Sequence, residues 1–418
     1  MTKTEIIENL NELLSCVELY EGIIDRNCSK VSCVHFSKIF NWNNKRYTFR
    51  LSIDYANLYT TVFHSIYSLG TIEDKFSIDY VADKFHDYLF KLKVSNKCVT
   101  IRNYDKFYNS LNMAKNEKIS VFCHLYGVEV NTDVPFKIGC FTLYNYALHK
   151  KDILKLAGQT TQKAFEQYHH EFLEHSTWIS TEIETADSEK AYQLARYKFE
   201  VFQGMCRFFF DIKKVNAFAV CIYDDVHPVW GRCFMTSPSQ SCDKFDNDVQ
   251  RHQNIDAVLL ARIDSRFVPL VKRLFSSDKN EVNERIKCAF TTYGRILHER
   301  SSAQQLVMYV TAIESLIEYK DTDTTELISS FLAGMICDNW DTYLVTKKDF
   351  KFTYDLRSKI SHGNKVFVLK GDLAYAHAYC AELILKFITD GEILPITRND
   401  DLKAHLESKV KRLEVAES

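Results

Sequence analysis

Strand-like patterning stops at about Asn254, and almost everything after it has the 3.6-residue spacing of helices. Ile255–Phe275 reads as one helical stretch with an interruption at Pro269, and the polar Ser276–Asn280 marks a boundary. Beyond it, Glu281–Arg300 places Ile286, Phe290, Tyr293 and Leu297 on one face. Ser302–Tyr319 does the same with Leu306, Val310, Ile313 and Ile317, and Thr324–Cys337 with Leu327, Phe331 and Ile336. Phe350–His362 and Asp372–Ile388 complete the set. The intervening linkers are short, which favours antiparallel neighbours in an α-bundle. The charged tail after Leu394 reads as a loosely attached helix.

The first half is different. Arg46–Ile53, Ile119–Val130 and Phe136–Tyr146 are rich in β-branched and aromatic residues with partial alternation, so part of residues 30–146 is expected as antiparallel sheet. Ala164–Phe172 and Glu189–Phe210 have helical spacing, while Ala217–Tyr223 and Val229–Met235 return to strand. The expected class is α+β: a mixed, β-rich module over residues 1–275, with a possible subdivision near 147–190, then an all-α bundle over 281–390 and a tail over 395–418. Twelve glycines and five prolines in 418 residues leave little material for flexible linkers.

Composition excludes several classes. A net charge of −2 with 46% hydrophobic residues is wrong for a disordered chain or a nonspecific polyanion coat. The 13 cysteines include no C-x-x-C pair, which argues against a zinc ribbon and for reduced thiols. The first twenty residues read as an amphipathic helix rather than a signal peptide, and no apolar run approaches the ~18 residues of a membrane span. A cytoplasmic protein with no membrane partner is expected. No Gly-rich phosphate loop, dinucleotide fingerprint or nucleophile elbow occurs. The cluster His169–His175 (HHEFLEH) tempts a metal reading, but His170 and His175 point about 140° apart on a helix. Its simpler reading is a polar face, and no metal or other cofactor is expected.

The most informative stretch is Tyr354–Asn364, YDLRSKISHGN. Arg357 and His362 would also diverge by about 140° on a continuous helix. They come closer if the helix ends here, with His362 as the C-cap and Gly363 in the left-handed conformation. The negative end of the helix dipole favours a positive charge at that cap. From Lys347 to Lys370, seven basic residues (Lys347, Lys348, Lys351, Arg357, Lys359, Lys365, Lys370) face only Asp349 and Asp355. This is a plausible footprint for phosphates. Tyr354, one turn before Arg357, is a candidate for stacking on a base, with a core tyrosine as the simpler alternative.

An Arg-x4-His motif followed by Gly near the end of a late helix resembles the HEPN domain. YDLRSKISHG and the earlier helix MYVTAIESLIE (308–318) resemble, more narrowly, the ApeA-like HEPN group of prokaryotic antiviral defence proteins. The resemblance covers roughly residues 281–390. It implies a metal-independent endoribonuclease, homodimeric through the bundle, acting on RNA such as tRNA. Arg357 and His362 would be the catalytic pair, with Glu314, Ser358 and Tyr354 as accessory candidates and Lys347, Lys348, Lys351, Lys359 and Lys365 as RNA-binding residues. Ser358 departs from the Asn, His or Asp often found after the arginine. Glu314 either matches an acidic residue some members place near the site or is an exposed helix position. Residues 1–275 would then sense a trigger, such as a phage-derived molecule, or restrain the nuclease. The alternative is a catalytically silent bundle that binds nucleotide or a partner protein.

Overall fold

A computed structural model describes residues 1–22, 34–156, 177–214, 230–236, 241–247, 255–276, 278–296, 299, 301–317, 319, 324–364 and 367–416. The protein is α+β, with sheets and helices mixed up to about residue 256 and helices beyond it. The chain divides into two compact units, residues 1–119 with 183–193, and residues 120–182 with 194–418.

The first unit opens with α1 (Lys3–Cys16), whose Thr2 and Glu5 form a reciprocal cap. Strands β1 (Glu18–Glu21), β2 (Val34–Trp42) and β3 (Lys45–Ser52) form an antiparallel sheet in the order β1-β3-β2. Asn43 and Asn44, both at positive φ (49° and 62°), make the β2–β3 turn, a conformation asparagine tolerates better than most residues. Four helices follow: α2 (Ala56–Tyr67), α3 (Ile72–Lys75), α4 (Ile78–Val94) and α5 (Ile101–Asn112). The strand reading of residues 30–146 overlooks them. Tyr59, Val62, Phe63 and Ile66 are strand-favouring types, but their i, i+3, i+4, i+7 spacing buries one helical face.

The second unit contains most of a six-stranded sheet. Its strands are β4 (Glu117–Leu125), β6 (Phe136–Ile138), β7 (Phe141–Asn145), β8 (Thr177–Thr185), β9 (Trp230–Thr236) and β10 (Ser241–Asn247). Their order is β10-β9-β4-β8-β7-β6. β5 (Val128–Glu129) pairs in parallel with β11 (Ile255–Asp256). Arg46–Ile53, Ile119–Val130 and Phe136–Tyr146 thus carry strands as expected, whereas β8 is an addition. Ala164–Phe172 and Ala217–Tyr223 lie outside the described residues.

The remaining helices are α6 (Tyr146–Leu156), α7 (Ser188–Ile212), whose first residues belong to the first unit, α8 (Ala257–Arg262), α9 (Phe267–Leu274), α10 (Glu281–Ile296), α11 (Ser302–Ile317), α12 (Thr324–Ile336), α13 (Trp340–Ser361), α14 (Lys370–Thr389) and α15 (Asn399–Val415). The single stretch expected over Ile255–Phe275 is a two-residue strand and two helices. The break falls at residues 263–266, and Pro269 sits in the first turn of α9, where its missing N–H costs nothing. In α12 the buried face is Ile328, Phe331, Leu332 and Met335, turned slightly from the expected one, so Leu327 and Ile336 are only half-buried. The tail is not loosely attached: Leu402 and Leu406 of α15 are fully buried, and Val410 packs against Gly334 of α12. Two apolar residues four apart anchor a helix whose composition is otherwise charged.

Helix α11 is central, packed against α10, α13 and α14, with Leu306, Val310, Ile313 and Ile317 all buried. Helices α7 and α10 approach so closely at Gly204 and Gly294 that a Cβ on Gly294 would lie 2.6 Å from the Gly204 Cα. Among the described residues, no helix is long and apolar enough to cross a membrane.

Candidate functional site

The Arg357 helix, α13, begins at Trp340, ten residues before the expected start at Phe350. Asn339 caps it by accepting from the Thr342 backbone N–H at 2.9 Å. Its first half has almost no apolar stripe, because Leu344, Val345, Lys348 and Asp349 are all exposed. The helix ends as expected. His362 is the C-cap, Gly363 has φ +78°, and the Gly363 and Asn364 N–H groups donate to Ile360 O (2.9 Å) and Lys359 O (3.0 Å). This is the paired 5→2 and 6→1 closure that a glycine at C′ permits.

Arg357 is half-buried and is oriented from another helix. Its Nη2 donates to Glu314 Oε2 at 2.8 Å, and the Tyr354 hydroxyl donates to Glu314 Oε1, also at 2.8 Å. The guanidinium carbon lies 5.6 Å from the centre of the Tyr354 ring. Glu314 is 5% exposed, so it is not the surface position that was one of its two readings. A buried carboxylate that spends both oxygens on these two donors fixes the guanidinium in direction as well as in place. Nη1 of Arg357 has no hydrogen-bond partner among the described residues.

The other sequence candidates separate. Tyr354 is 7% exposed and committed to Glu314, which makes it a core and positioning residue whose ring offers no open face for a base. His362 is exposed, and its imidazole makes no hydrogen bond among the described residues, including none to Arg357. Ser358 is half-buried, about 100° around the helix from Arg357. Lys347 and Lys351 are both occupied by Glu326 of α12, at 2.5 Å each, and their hydrogen bonds hold the Glu326 carboxyl below its usual range. Lys348 and Lys359 are exposed but lie about 160–180° around the helix from Arg357. Lys365 and the His169–His175 cluster lie outside the described residues. Of the described lysines on this helix, Lys347 and Lys351 thus share the single carboxylate of Glu326, and Lys348 and Lys359 lie on its far face.

A second polar cluster, invisible in the sequence, ties three helices. Asp211 Oδ2 (α7) accepts from the Tyr293 hydroxyl (α10), and lies 2.6 Å from His377 Nε2 (α14), which is itself 2.9 Å from the Tyr293 oxygen. Burial alone would raise the Asp211 carboxyl, but these two donors hold it below its usual range, and burial next to that carboxylate pushes the Tyr293 phenol far up. No spacing could reveal it, because its members come from segments 82 to 166 residues apart. Among the described residues, no group of three or more His, Cys, Asp or Glu side chains is placed to hold a metal. Cys16, Cys98, Cys123, Cys140, Cys206, Cys288, Cys337 and Cys380 are free thiols.

No protein-family model matches the chain, and neither a curated protein nor a solved structure matches it.

Proposed function

We propose that this protein is a metal-independent endoribonuclease of the HEPN type, similar to the ApeA-like group, acting as an anti-phage defence effector or toxin. The reading rests on one observation above all: Arg357, five residues before a capped His362, is aimed by a buried carboxylate on a separate helix. A guanidinium serving only as a surface charge needs no such support.

The chemistry requires only these groups and the RNA. The ribose 2′-hydroxyl attacks the adjacent phosphate, and an arginine N–H pair stabilises the charge that develops on the phosphorane oxygens. A histidine removes the 2′ proton or protonates the departing 5′ oxygen, a contribution of about 10²–10⁴-fold. Each chain supplies one such histidine, whereas concerted acid and base catalysis uses two. A homodimer whose motifs face one cleft provides both. Glu314 and Tyr354 act as positioning residues that hold Arg357. The sheet-bearing first part of the chain is the natural place for a trigger or restraining partner to act.

Purified protein should cleave RNA in EDTA. His362→Ala should abolish turnover while RNA binding persists, and Arg357→Ala should weaken both. Activity lost on chelation and regained with Mg²⁺ or Mn²⁺, or wild-type rates from His362→Ala, would remove the assignment. Light scattering that shows only monomer, with full activity at micromolar concentration, would remove the shared cleft.

A further inference from the structure

We propose that Tyr375 is a nucleobase-stacking residue beside the Arg357/His362 pair, holding an unpaired base next to the phosphate that is cut. The inference rests on the ribonuclease reading for the identity of its ligand, and on geometry for its position.

Helices α13 and α14 are joined by residues 362–369, and the rings of Phe350 and Tyr379 meet at 6.0 Å, some ten residues back from that joint on either helix. Two helices linked at one end and touching there must run back alongside each other. One turn from Phe350 toward the joint is Tyr354, and one turn from Tyr379 in the same direction is Tyr375. The two i, i+4 aromatic pairs therefore run level: Phe350–Tyr354 at 6.4 Å and Tyr375–Tyr379 at 6.3 Å, the latter stacked at 24°. Tyr375 thus stands at the level of Tyr354, whose ring lies beneath the Arg357 guanidinium.

The two tyrosines have opposite exposures. Tyr354 is 7% exposed and spends its hydroxyl on Glu314, whereas Tyr375 is 61% exposed and touches Tyr379 alone among the described rings. At the level of Arg357, this ring presents an open π-face on which a flat ligand can stack. The charges at this corner identify that ligand's other half. His362 and Lys370 are exposed on either side of the joint, and the Asp372 carboxylate at the start of α14 accepts from the Leu369 N–H at 2.9 Å. A nucleotide has both a flat π-face and a negative charge; an aliphatic protein surface has neither. The base-stacking role that the sequence suggested for Tyr354 falls instead to a tyrosine on the next helix, with an open face.

The test is equilibrium binding of a fluorescent single-stranded oligoribonucleotide to the full chain carrying His362→Ala, in EDTA, so that no turnover interferes. Tyr375→Ala should weaken binding by about 5- to 100-fold, while Tyr375→Phe and Tyr375→Trp retain it. Scanning an abasic nucleotide along the strand should find one position where the abasic substitution costs about as much, and where Tyr375→Ala then adds nothing. Equal binding by Tyr375→Ala, full retention by Tyr375→Leu, or no binding of RNA at all would overturn the proposal. So would a loss on Tyr375→Ala that is the same at every abasic position and tracks dissociation of a dimer in sedimentation, because Tyr375 would then belong to a chain–chain interface. Tyr375-dependent binding without cleavage by the unsubstituted chain would sink the ribonuclease reading and leave only the base-stacking role of Tyr375 standing. Cleavage as proposed, indifferent to Tyr375, would do the reverse.

Discussion

Two polar sites, one in each unit, are built in different ways. In the first, His86 lies in an aromatic nest, stacked on Phe36 at 4.3 Å, with its Nε2 2.9 Å from the Tyr59 hydroxyl. Burial there pushes the imidazole down to about 4, so it is neutral near pH 7 and pairs with a neutral phenol. In the second, Glu314 and Arg357 are ions held on separate helices. A neutral pair suits a core whose task is to cohere. A buried ion pair is a weak source of stability, because desolvating two charges offsets most of their attraction. What the Glu314 pair does supply is a fixed direction for a positive charge at the edge of the bundle. The contrast assigns packing to the half-buried His86 and orientation to the buried Glu314.

The sharpest way to break that contrast is to remove one ion. Glu314→Leu should destabilise the second unit by about 3–5 kcal/mol, since it leaves a half-buried guanidinium uncompensated and the Tyr354 hydroxyl without its acceptor. Glu314→Leu with Arg357→Met should recover most of that loss in urea denaturation but show no RNA cleavage. If the double variant is as unstable as the single one, the pair is structural and the orientation argument fails.

Next in size is the helix crossing. Gly294→Ala should cost about 1–3 kcal/mol, because its Cβ meets the Gly204 backbone rather than a yielding side chain. Hydrogen exchange should report the loss in α7 and α10 and leave the first unit's helices unchanged. The pH effect is comparable or smaller and belongs to the first unit. The His86 imidazole is depressed in the folded state, so its contribution is fully present above about 6.5 and is lost as pH falls toward about 4. Stability of the first unit should decline by at most about 3 kcal/mol across that window, and His86→Phe should flatten the decline. An unchanged slope in His86→Phe would place the titration elsewhere. The smallest expected effect is at the cap. Gly363→Ala meets no atom within 4 Å, so it should cost only the left-handed strain of about 1 kcal/mol, with a larger loss of activity as His362 shifts.

Much of the site's backbone was legible in YDLRSKISHGN. Glycine after histidine dictated a left-handed helix end, which local chemistry alone decides. The bundle's cores were readable from Leu306, Val310, Ile313 and Ile317 because periodicity encodes burial. The start of α13 was not, since Leu344, Val345, Lys348 and Asp349 are exposed and leave no stripe to read. The role of Glu314 was out of reach for another reason. One carboxylate in MYVTAIESLIE looks the same whether it faces water or an arginine 43 residues onward. The cations at 347 and 351 misled in the same way, because Glu326, their partner, lies outside the window that made them look unopposed. Charge runs record composition, whereas pairing across helices depends on the fold.

The nature of the RNA ends tests the central claim most directly. If Arg357 and His362 promote attack by the 2′-hydroxyl, the upstream fragment ends in a 2′,3′-cyclic phosphate or its hydrolysed monophosphate, and the downstream fragment begins with a 5′-hydroxyl. A single 2′-deoxy substitution at the scissile nucleotide should then block cutting there, and DNA should be inert. Fragments with a 3′-hydroxyl and a 5′-phosphate, the usual outcome of a metal-activated water, would contradict the account, as would cleavage of DNA at the rate of RNA.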